Sequence, residues 1–429
     1  MNRAQSQAYL GHLEKFGIRL GLDAIREILA GLGNPQDRFP SVLVAGTNGK
    51  GSVCAMLAEI LAGHGWRVGL YTSPHLVRVE ERIQVDRKLI PARALGRLLG
   101  RVRETNKALL AAGRLAAEPT FFEVLTAAAF LHFAARRVDI AVLEVGLGGR
   151  FDATNVVRPL ATAITSIGHD HQQYLGRTLG RIAFEKAGIL KPGVPVVCGE
   201  RSGSTAYAVI RKRAEALEAP LLGVFDGGRL EPADGRGRFV FRRAGRTYRF
   251  TPSLPGRHQG ENAAVAILVA EELSRSWRPL KKARVIAGVE RARWEGRLET
   301  VSVRPPVILD GAHNEEGAAA LAAHLRRIFK ERIILVFGVL CDKDIRAMAR
   351  RLFPLADMVV LTRIPNDRSA EPAAVAALAP RFRGRLRVEP DPRRAVRLAQ
   401  RESAGRTPVV IAGSLFLVGE VKRLRLFPA

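Results

Sequence analysis

Short runs of β-branched and other apolar residues alternate along the chain with longer Ala-, Leu- and Arg-rich stretches whose apolar positions recur at helical spacing. This alternation is typical of βα units and predicts a mostly parallel sheet with helices on its faces. Strands are predicted first at 41–45, 68–71, 140–145, 161–166 and 194–198, and helices at 52–64, 121–135 and 181–189. The predicted fold class is therefore α/β.

Near residues 222–251 the pattern changes to short alternating runs separated by Gly-rich turns, which predicts a small antiparallel insertion. A second βα series follows residues 291–299, with strands predicted at 307–309, 333–337, 358–361, 386–388 and 409–412. We expect two α/β domains: residues 1–296 with the mostly parallel sheet, and residues 297–429 as a smaller Rossmann-like domain.

The charge is strongly unbalanced, with 68 Lys and Arg against 41 Asp and Glu and a net charge of +27. Taken alone, this excess favours a polyanionic partner such as nucleic acid or an acidic membrane. However, 56 of the 68 cations are Arg spread along the chain, and the clusters at 211–213 and 422–425 are short. We therefore interpret the excess as solvated surface and expect neither a nucleic-acid nor a membrane partner.

The three cysteines lie far apart without CxxC spacing, which argues against a zinc site or a disulfide framework. No apolar run approaches the roughly 18 residues of a membrane span, and the N-terminal segment has no apolar core of a signal peptide. We expect a cytoplasmic protein that works as a monomer.

The strongest local signal is SVLVAGTNGKGSVCAMLAEIL, which reads as a strand, a Gly-rich loop and a long apolar helix. Such a loop lets backbone N–H groups surround a phosphate at the positive end of the helix dipole. The candidate nucleotide-binding residues are Gly46, Thr47, Asn48, Gly49, Lys50, Gly51 and Ser52. The strict pattern GxxxxGK[ST] fails, because Val44 replaces the first Gly and Gly51 intervenes before Ser52. A Gly-rich turn that binds no phosphate is the alternative, and Lys50 within the loop speaks against it.

A second candidate is Glu144, which ends the apolar strand DIAVLEV ahead of a Gly-rich turn. A carboxylate at the carboxyl end of a parallel strand faces the crevice in which such folds bind ligands. It is a natural Mg²⁺ partner for a phosphate loop. A satisfied buried glutamate at a strand end is the alternative.

Seven motifs occur in one order, namely GTNGKGS, YTSPHL, EVGLGGRFDATN, DHQQYLG, EKAGI, LDGAHN and GSLF. Together they resemble the folylpolyglutamate synthase/dihydrofolate synthase family of the Mur ligase superfamily, from about residue 9 to residue 420. The resemblance implies an N-terminal P-loop ATPase domain, a C-terminal glutamate-ligase domain, and amide formation with ATP as co-substrate.

The resemblance also implies one or two Mg²⁺ ions, held by Ser73, Glu144 and His171. It implies that Lys186 of EKAGI is carbamylated and acts in catalysis with Lys50, Glu144 and His171. From the residues alone, His171 could be a capping or core histidine, and Lys186 a lysine on a helix surface.

Three further positions match nucleotide contacts of the family: Asn262, Arg297 at the domain junction, and Asp310. A guanidinium at Arg297 is suited to stabilising a transferring phosphoryl group. His313 and Ser414 match positions that bind the incoming glutamate. A simple helix cap at Asn262 and ordinary loop polarity at His313 and Ser414 are the alternatives.

Segments around two motifs resemble the pterin contacts of the bifunctional enzymes. They comprise Thr120, Phe121, Phe122, Glu123, Phe151, Asp152 and Ala153. The two phenylalanines 121 and 122 could equally be core residues. Some bifunctional bacterial relatives read DHTDWLG and LDA where this chain reads DHQQYLG and FDA, which leaves the substrate range open.

Our hypothesis is an ATP-dependent ligase that adds L-glutamate to dihydropteroate, to the γ-carboxylate of (tetrahydro)folyl-(poly)glutamate, or to both, through an acyl phosphate. We favour both activities. One alternative is a Mur ligase for UDP-sugar peptides; the GKGS loop and the lack of room for a UDP-binding domain before residue 41 argue against it. The other is a P-loop nucleic-acid-binding ATPase, against which the missing basic block and the intact EKAGI and LDGAHN motifs speak.

Overall fold

The computed structural model of the protein describes residues 1–234 and 237–427, and the strands in this part of the chain form three sheets. The largest sheet contains β1 (Ser41–Ala45), β2 (Val68–Tyr71), β3 (Ile83–Val85), β4 (Lys88–Leu89), β5 (Ile140–Glu144), β6 (Ala161–Ile164), β7 (Val196–Cys198) and β8 (Leu221–Gly223). Its order is β4-β3-β2-β5-β1-β6-β7-β8. All neighbouring pairs are parallel except β2–β3 and β3–β4, which form an antiparallel edge.

Both faces of this sheet are covered, which explains the continuous apolar runs of its strands. On β1, Val42 and Val44 pack on one side, while Leu43 and Ala45 pack on the other. The helices of this part are α1 (Arg3–Glu14), α2 (Asp23–Gly31), α3 (Lys50–Ala62), α4 (Ala92–Ala111), α5 (Phe121–Ala135), α6 (Gln172–Leu175), α7 (Leu179–Ala187), α8 (Thr205–Ala216), α9 (Arg257–Ser276) and α10 (Lys282–Arg291). Helices α3, α9 and α10 cover one face, and α1, α2, α4, α5 and α8 cover the other.

A small antiparallel sheet comprises β9 (Gly228–Pro232), β10 (Phe239–Arg243) and β11 (Arg246–Phe250), in the order β11-β10-β9. It begins later than the insertion expected from residue 222, because β8 pairs in parallel with β7 and belongs to the large sheet. Buried Leu222 accounts for that difference, since it packs into the core beside the large sheet. Residues 235 and 236 of the expected insertion lie outside the described residues.

The third sheet contains β12 (Glu299–Val303), β13 (Pro306–Leu309), β14 (Ile333–Phe337), β15 (Ala356–Leu361), β16 (Leu386–Val388) and β17 (Val409–Ala412). Its order is β12-β13-β17-β14-β15-β16, and every pair is parallel except β12–β13. Its helices are α11 (Glu315–Ile328), α12 (Ile345–Leu352), α13 (Pro372–Leu378), α14 (Pro392–Ser403) and α15 (Leu415–Arg423). Helices α11 to α13 cover one face, and α14 and α15 cover the other.

Short 3₁₀ helices occupy Pro35–Arg38, Val79–Arg82, Ala153–Val156, Phe353–Leu355 and Pro380–Arg385. The two parallel-rich sheets with helices on both faces confirm the predicted fold class. The domain boundary between residues 296 and 297 stays a prediction. None of the helices in the described ranges combines the length and the apolar character required to cross a bilayer.

Candidate active site

The loop that joins β1 to α3 is shaped by two glycines with positive φ. Gly46 has a φ of 147° and Gly49 a φ of 86°, which L side chains rarely adopt. A Cβ atom at Gly46 would collide with Thr165 Oγ1, and one at Gly49 with Asn262 Oδ1. Glycine is therefore required at both positions by the backbone conformation and by the neighbouring side chains.

Lys50, the first residue of α3, folds back over this loop. Its Nζ donates to Gly46 O at 3.0 Å and to Thr47 O at 3.1 Å. Ser52 is buried two residues further on, and its Oγ accepts from Gln259 Nε2 at 3.2 Å. The loop thus combines a lysine ammonium with a helix N-terminus, an arrangement that suits an anionic phosphate.

Glu144 at the end of β5 is the buried carboxylate beside the loop. It is 4% exposed and accepts a hydrogen bond from Ser73 N at 3.0 Å through Oε2. Burial raises the pKa of Glu144, while the charges of Lys50 and Arg297 counteract that rise. Glu144 therefore offers a buried carboxylate, the type of oxygen ligand that Mg²⁺ takes in proteins.

Lys186 of α7 points into the same loop. Its side chain is buried, and Nζ donates to Gly46 O at 2.8 Å. Burial, reinforced by the charge of Lys50, lowers the pKa of Lys186 to about 7. A lysine exposed on a helix surface, the alternative from the sequence, is therefore excluded, and a substantial fraction of this amine is unprotonated at neutral pH.

His171 is the N-cap residue of α6 and has a left-handed φ of 50°. Burial lowers the pKa of His171 to about 4, and Lys50 is among the cations that contribute. The imidazole is therefore neutral at physiological pH, as a metal-binding histidine must be. Lys50 acts electrostatically on both His171 and Glu144.

The loops of the third sheet meet this site from the opposite side. Asp310, just past β13, accepts from Leu298 N and from Ala312 N, both at 2.9 Å. Burial raises the pKa of Asp310, and Arg297 acts against that rise. The charge of Arg297 acts on both Asp310 and Glu144, so it lies within electrostatic range of one buried carboxylate from each of the two sheets.

His313 and Ser414 lie on loops of the same sheet. His313 Nδ1 is 2.9 Å from Gly311 O, and its Nε2 is 3.3 Å from Asp170 Oδ2. Ser414 is 2% exposed and caps α15, where its Oγ accepts from Phe416 N at 3.1 Å. The structure therefore brings His313 to the loop that carries His171, and it gives Ser414 a capping contact of its own.

Two family models match the chain: the Mur ligase middle domain over residues 44–270, and the Mur ligase glutamate ligase domain over residues 296–415. The dihydrofolate synthase/folylpolyglutamate synthase of Bacillus subtilis is 38% identical over 416 residues, covering 95% of this chain and 96% of that protein. The chain belongs to the folylpolyglutamate synthase/dihydrofolate synthase family of Mur ligases.

Solved structures of family members have a fold similar to this one over nearly the whole chain. The folylpolyglutamate synthase of Mycobacterium tuberculosis, complexed with ADP and AMPPCP, has a TM-score of 0.90 at 33% identity and covers 99% of both chains. E. coli FolC, in complex with DHPP and ADP, has a TM-score of 0.89 at 29% identity and covers 99% of this chain and 97% of that one.

The residues predicted from this family to contact the pterin have clear local roles. Thr120 and Glu123 form a capping box at the start of α5, in which Glu123 Oε2 accepts from Thr120 N and Oγ1, both at 2.7 Å. Asp152 accepts from Gly146 N and Leu147 N, both at 3.0 Å, and thereby fixes the Gly-rich turn after β5. These polar atoms are engaged in holding the backbone.

Aromatic rings border the same turn. The Phe122 ring occupies the space that a Cβ of Gly146 would fill, and the Arg82 guanidinium lies 5.0 Å from the centre of the Phe121 ring. Phe151 is half-buried beneath Arg150, whose guanidinium is 4.2 Å from the ring centre. Ala153 is buried at the start of the following 3₁₀ helix. The alternative drawn from the sequence was that Phe121 and Phe122 are core residues. Both side chains are only half-buried, so they are not fully part of the core.

Asn262 does not cap its helix, since α9 begins five residues earlier; its Nδ2 donates to Gln259 Oε1 at 2.9 Å. Among the described residues, no three His, Cys, Asp or Glu side chains are grouped so as to hold a metal ion. The predicted metal-binding set contains two such side chains and one hydroxyl, so it does not conflict with that finding.

The sequence reasoning missed several polar residues that shape the site. Thr165 Oγ1 and Ser166 Oγ donate to Asn48 O at 2.6 and 3.2 Å and so anchor the phosphate loop. Asp170 and Lys343 form a buried ion pair at 2.5 Å. Their positions in the sequence could have identified them, because each of these residues follows the carboxyl end of a parallel strand.

Proposed function

We propose that the protein is an ATP-dependent ligase that joins the amine of L-glutamate to a carboxylate of a pterin-containing acid. The observation that carries the proposal is the convergence of two amines on one carbonyl of the phosphate loop, beside a buried carboxylate. Lys50 and Lys186 both donate to Gly46 O, and Lys50 acts on the Glu144 carboxylate. Family membership supports amide formation as the use of that site.

The acid substrates follow from the relatives. The Bacillus subtilis relative is named dihydrofolate synthase/folylpolyglutamate synthase, and E. coli FolC was solved with DHPP and ADP. They support dihydropteroate and the γ-carboxylate of (tetrahydro)folyl-(poly)glutamate as the two acids, and we propose that the chain acts on both. They do not favour a UDP-sugar peptide as substrate.

The proposed chemistry has two steps. The substrate carboxylate oxygen attacks the γ-phosphorus of ATP, and ADP leaves as an acyl phosphate forms. The glutamate amine then attacks the acyl carbon, and collapse of the tetrahedral intermediate gives the amide and phosphate. In this proposal, the cations Lys50 and Arg297 offset the charge that moves from the γ-phosphate to ADP.

The donor set at the mouth of the loop fits a divalent cation. Glu144 offers a buried carboxylate, Ser73 a hydroxyl, and His171 an imidazole that burial keeps neutral. We propose that these three residues hold one or two Mg²⁺ ions, which would supply charge neutralisation on the transferring phosphoryl group. A Yersinia pestis relative solved with AMPPNP and a Mn ion supports a divalent cation here.

We further propose that Lys186 carries a carbamate. Only an unprotonated amine attacks CO₂, and burial gives Lys186 a pKa of about 7. The ammonium first loses a proton, and the neutral amine then forms an N–C bond to CO₂ and releases a second proton, so that an anion replaces a cation. An anion beside Gly46 would then lie close to the Lys50 ammonium.

The remaining residue roles are proposals of the same kind. We assign nucleotide binding to residues 46–52 with Asn262, Arg297 and Asp310, glutamate binding to His313 and Ser414, and pterin binding to residues 120–123 and 151–153. The described cysteines are free thiols, which supports a cytoplasmic location. We also propose a monomer with its domain boundary at residues 296/297.

The purified protein tests the proposal in a measurement of ADP release with L-glutamate and dihydropteroate, with L-glutamate and a reduced folate, and with L-glutamate alone. We expect turnover that depends on both glutamate and the acid, with either acid. Turnover with one acid only would reduce the assignment to a single synthase. No turnover with either acid, or ATP hydrolysis stimulated by DNA, would overturn the proposal.

A further inference from the structure

The loop that follows β6 contacts loops of the third sheet through one buried carboxylate. Asp170 is 8% exposed, and its Oδ1 lies 2.5 Å from Lys343 Nζ. Its Oδ2 lies 3.3 Å from His313 Nε2 and 3.4 Å from Asn314 Nδ2. Asp170, on a loop of the largest sheet, thus contacts three side chains that loops of the third sheet carry.

These partners come from two different loops of the third sheet. Asn314 caps α11 after β13, and Lys343 follows β14. The Lys343 and Asp170 side chains are 6% and 8% exposed, so both charges are almost fully removed from water. Desolvating either charge without its partner is costly, and therefore the closed contact between the two sheets depends on both.

Asn314 also reaches the phosphate loop. Its Nδ2 donates to Asn48 Oδ1 at 3.0 Å, and Asn48 Nδ2 donates back to Asn314 Oδ1 at 3.3 Å. The backbone N–H of Asn48 donates to Ser166 Oγ at 3.3 Å, close to where the Asp170 loop begins. A shift of the phosphate loop would therefore be transmitted to the Asp170 contact through the side chain of Asn314.

A second contact, between the loop after β6 and helix α11, lies next to the first. Glu316 Oε1 accepts from His169 N at 3.0 Å, and a Cβ at Gly168 would come within 2.6 Å of that oxygen. The two elements therefore approach each other closely at Gly168.

We propose that Lys343 and Asp170 form a latch that holds the third sheet closed over the phosphate loop, with Asn314 linking the latch to that loop. Lys343 is then a positioning residue, and its contribution to the reaction is to exclude water from the acyl phosphate. The inference rests on the proposed ligase function, since only a reactive intermediate gives closure this chemical consequence. The latch itself is a structural claim that can be measured without turnover.

The test compares Lys343→Met, Lys343→Arg and the control Lys330→Met. The control removes an exposed lysine between α11 and β14 of the third sheet. Each protein is assayed for phosphate released per amide formed, for the KM of glutamate, and for the Kd of ADP. Small-angle X-ray scattering with saturating ADP reports closure without turnover. Thermal unfolding followed by fluorescence verifies that each variant is folded.

For Lys343→Met we expect phosphate release per amide to rise about tenfold, within the usual range for coupling between two sites. The Kd of ADP should change by less than this factor, because Lys343 pairs with Asp170 and Asp342 and is linked to the phosphate loop only indirectly, through Asp170 and Asn314. The radius of gyration should be larger than that of the wild type. Lys343→Arg should restore most of the coupling, and Lys330→Met should behave as the wild type.

Unchanged coupling and unchanged scattering in Lys343→Met would overturn the latch, as would a loss of rate at an unchanged ratio of phosphate to amide. If the wild type makes no amide, the proposed function has failed. The latch is then still tested, because a Lys343→Met protein as compact as the wild type refutes it and a more open one supports it.

Discussion

The Asp152 carboxylate gives a prediction whose size follows from its contacts. Its two oxygens accept from the backbone N–H groups of Gly146, Leu147 and Thr154, and from the Thr154 hydroxyl. The side chain is 5% exposed, so water does not readily replace it. Asp152→Ala would leave three N–H groups of a buried turn without their acceptor.

An unpaired buried donor costs about 1–3 kcal/mol, and some water entry is expected, so we predict a loss of roughly 3–5 kcal/mol in the free energy of unfolding. With an unfolding entropy of about 2.1 cal/mol/K per residue, this corresponds to a fall in Tm of about 5–8 °C for a domain of roughly 300 residues. The Asp152→Asn variant keeps one acceptor oxygen, so its Tm should fall by less than half as much.

Thermal unfolding followed by tryptophan fluorescence is the assay, because the three tryptophans, at 66, 277 and 294, all precede the predicted domain boundary. Asp37→Ala is the control, since Asp37 lies exposed in a 3₁₀ helix. A Tm of Asp152→Ala within about 1 °C of the control would refute the bracing role. A stable Asp152→Asn that no longer uses the acid substrate would instead support the proposed pterin contact.

Three further predictions concern the phosphate loop. Lys186→Ala should lose most ligation and recover part of it with a short-chain carboxylate; full activity without any carboxylate would show that Lys186 is structural. Because burial lowers the pKa of Lys186 to about 7, its amine loses its proton as the pH rises through that value. Reactivation of CO₂-depleted enzyme by bicarbonate should therefore increase from about pH 6 to about pH 8, and a flat profile would contradict the carbamate. Gly49→Ala should weaken ATP binding in calorimetry by about tenfold, through its φ of 86° and the collision with Asn262, whereas Gly113→Ala, with a φ of 69° and no atom within 4 Å, should leave binding unchanged.

The parallel strands were the part of the fold that the sequence predicted best. The first strand, 41–45, and the strand at 333–337 have the bounds predicted for them, because each is apolar on both faces and ends at a polar or glycine-containing turn. The hairpin Ile83–Val85 with Lys88–Leu89 was not predicted. Its strands of three and two residues are too short to show a period, and pairing with the edge of the large sheet supplies their order.

The site was predictable where a motif carries its own local geometry, as in the loop 46–49. Lys186 shows the limit, because FEKAGIL alone looks like a helix surface. Its Nζ donates to the carbonyl oxygen of Gly46, which is 140 residues away in sequence. The ion pair of Asp170 with Lys343 likewise joins residues 173 positions apart, and no local pattern specifies such a contact.

The central claim is that a substrate carboxylate is activated by ATP as an acyl phosphate before glutamate attacks. The most direct measurement uses an acid substrate whose carboxylate carries heavy oxygen and follows the label by mass spectrometry of the phosphate product. Attack by the carboxylate on the γ-phosphorus predicts that one labelled oxygen appears in each phosphate released with amide. Phosphate that carries no label, with amide still formed, would contradict the account.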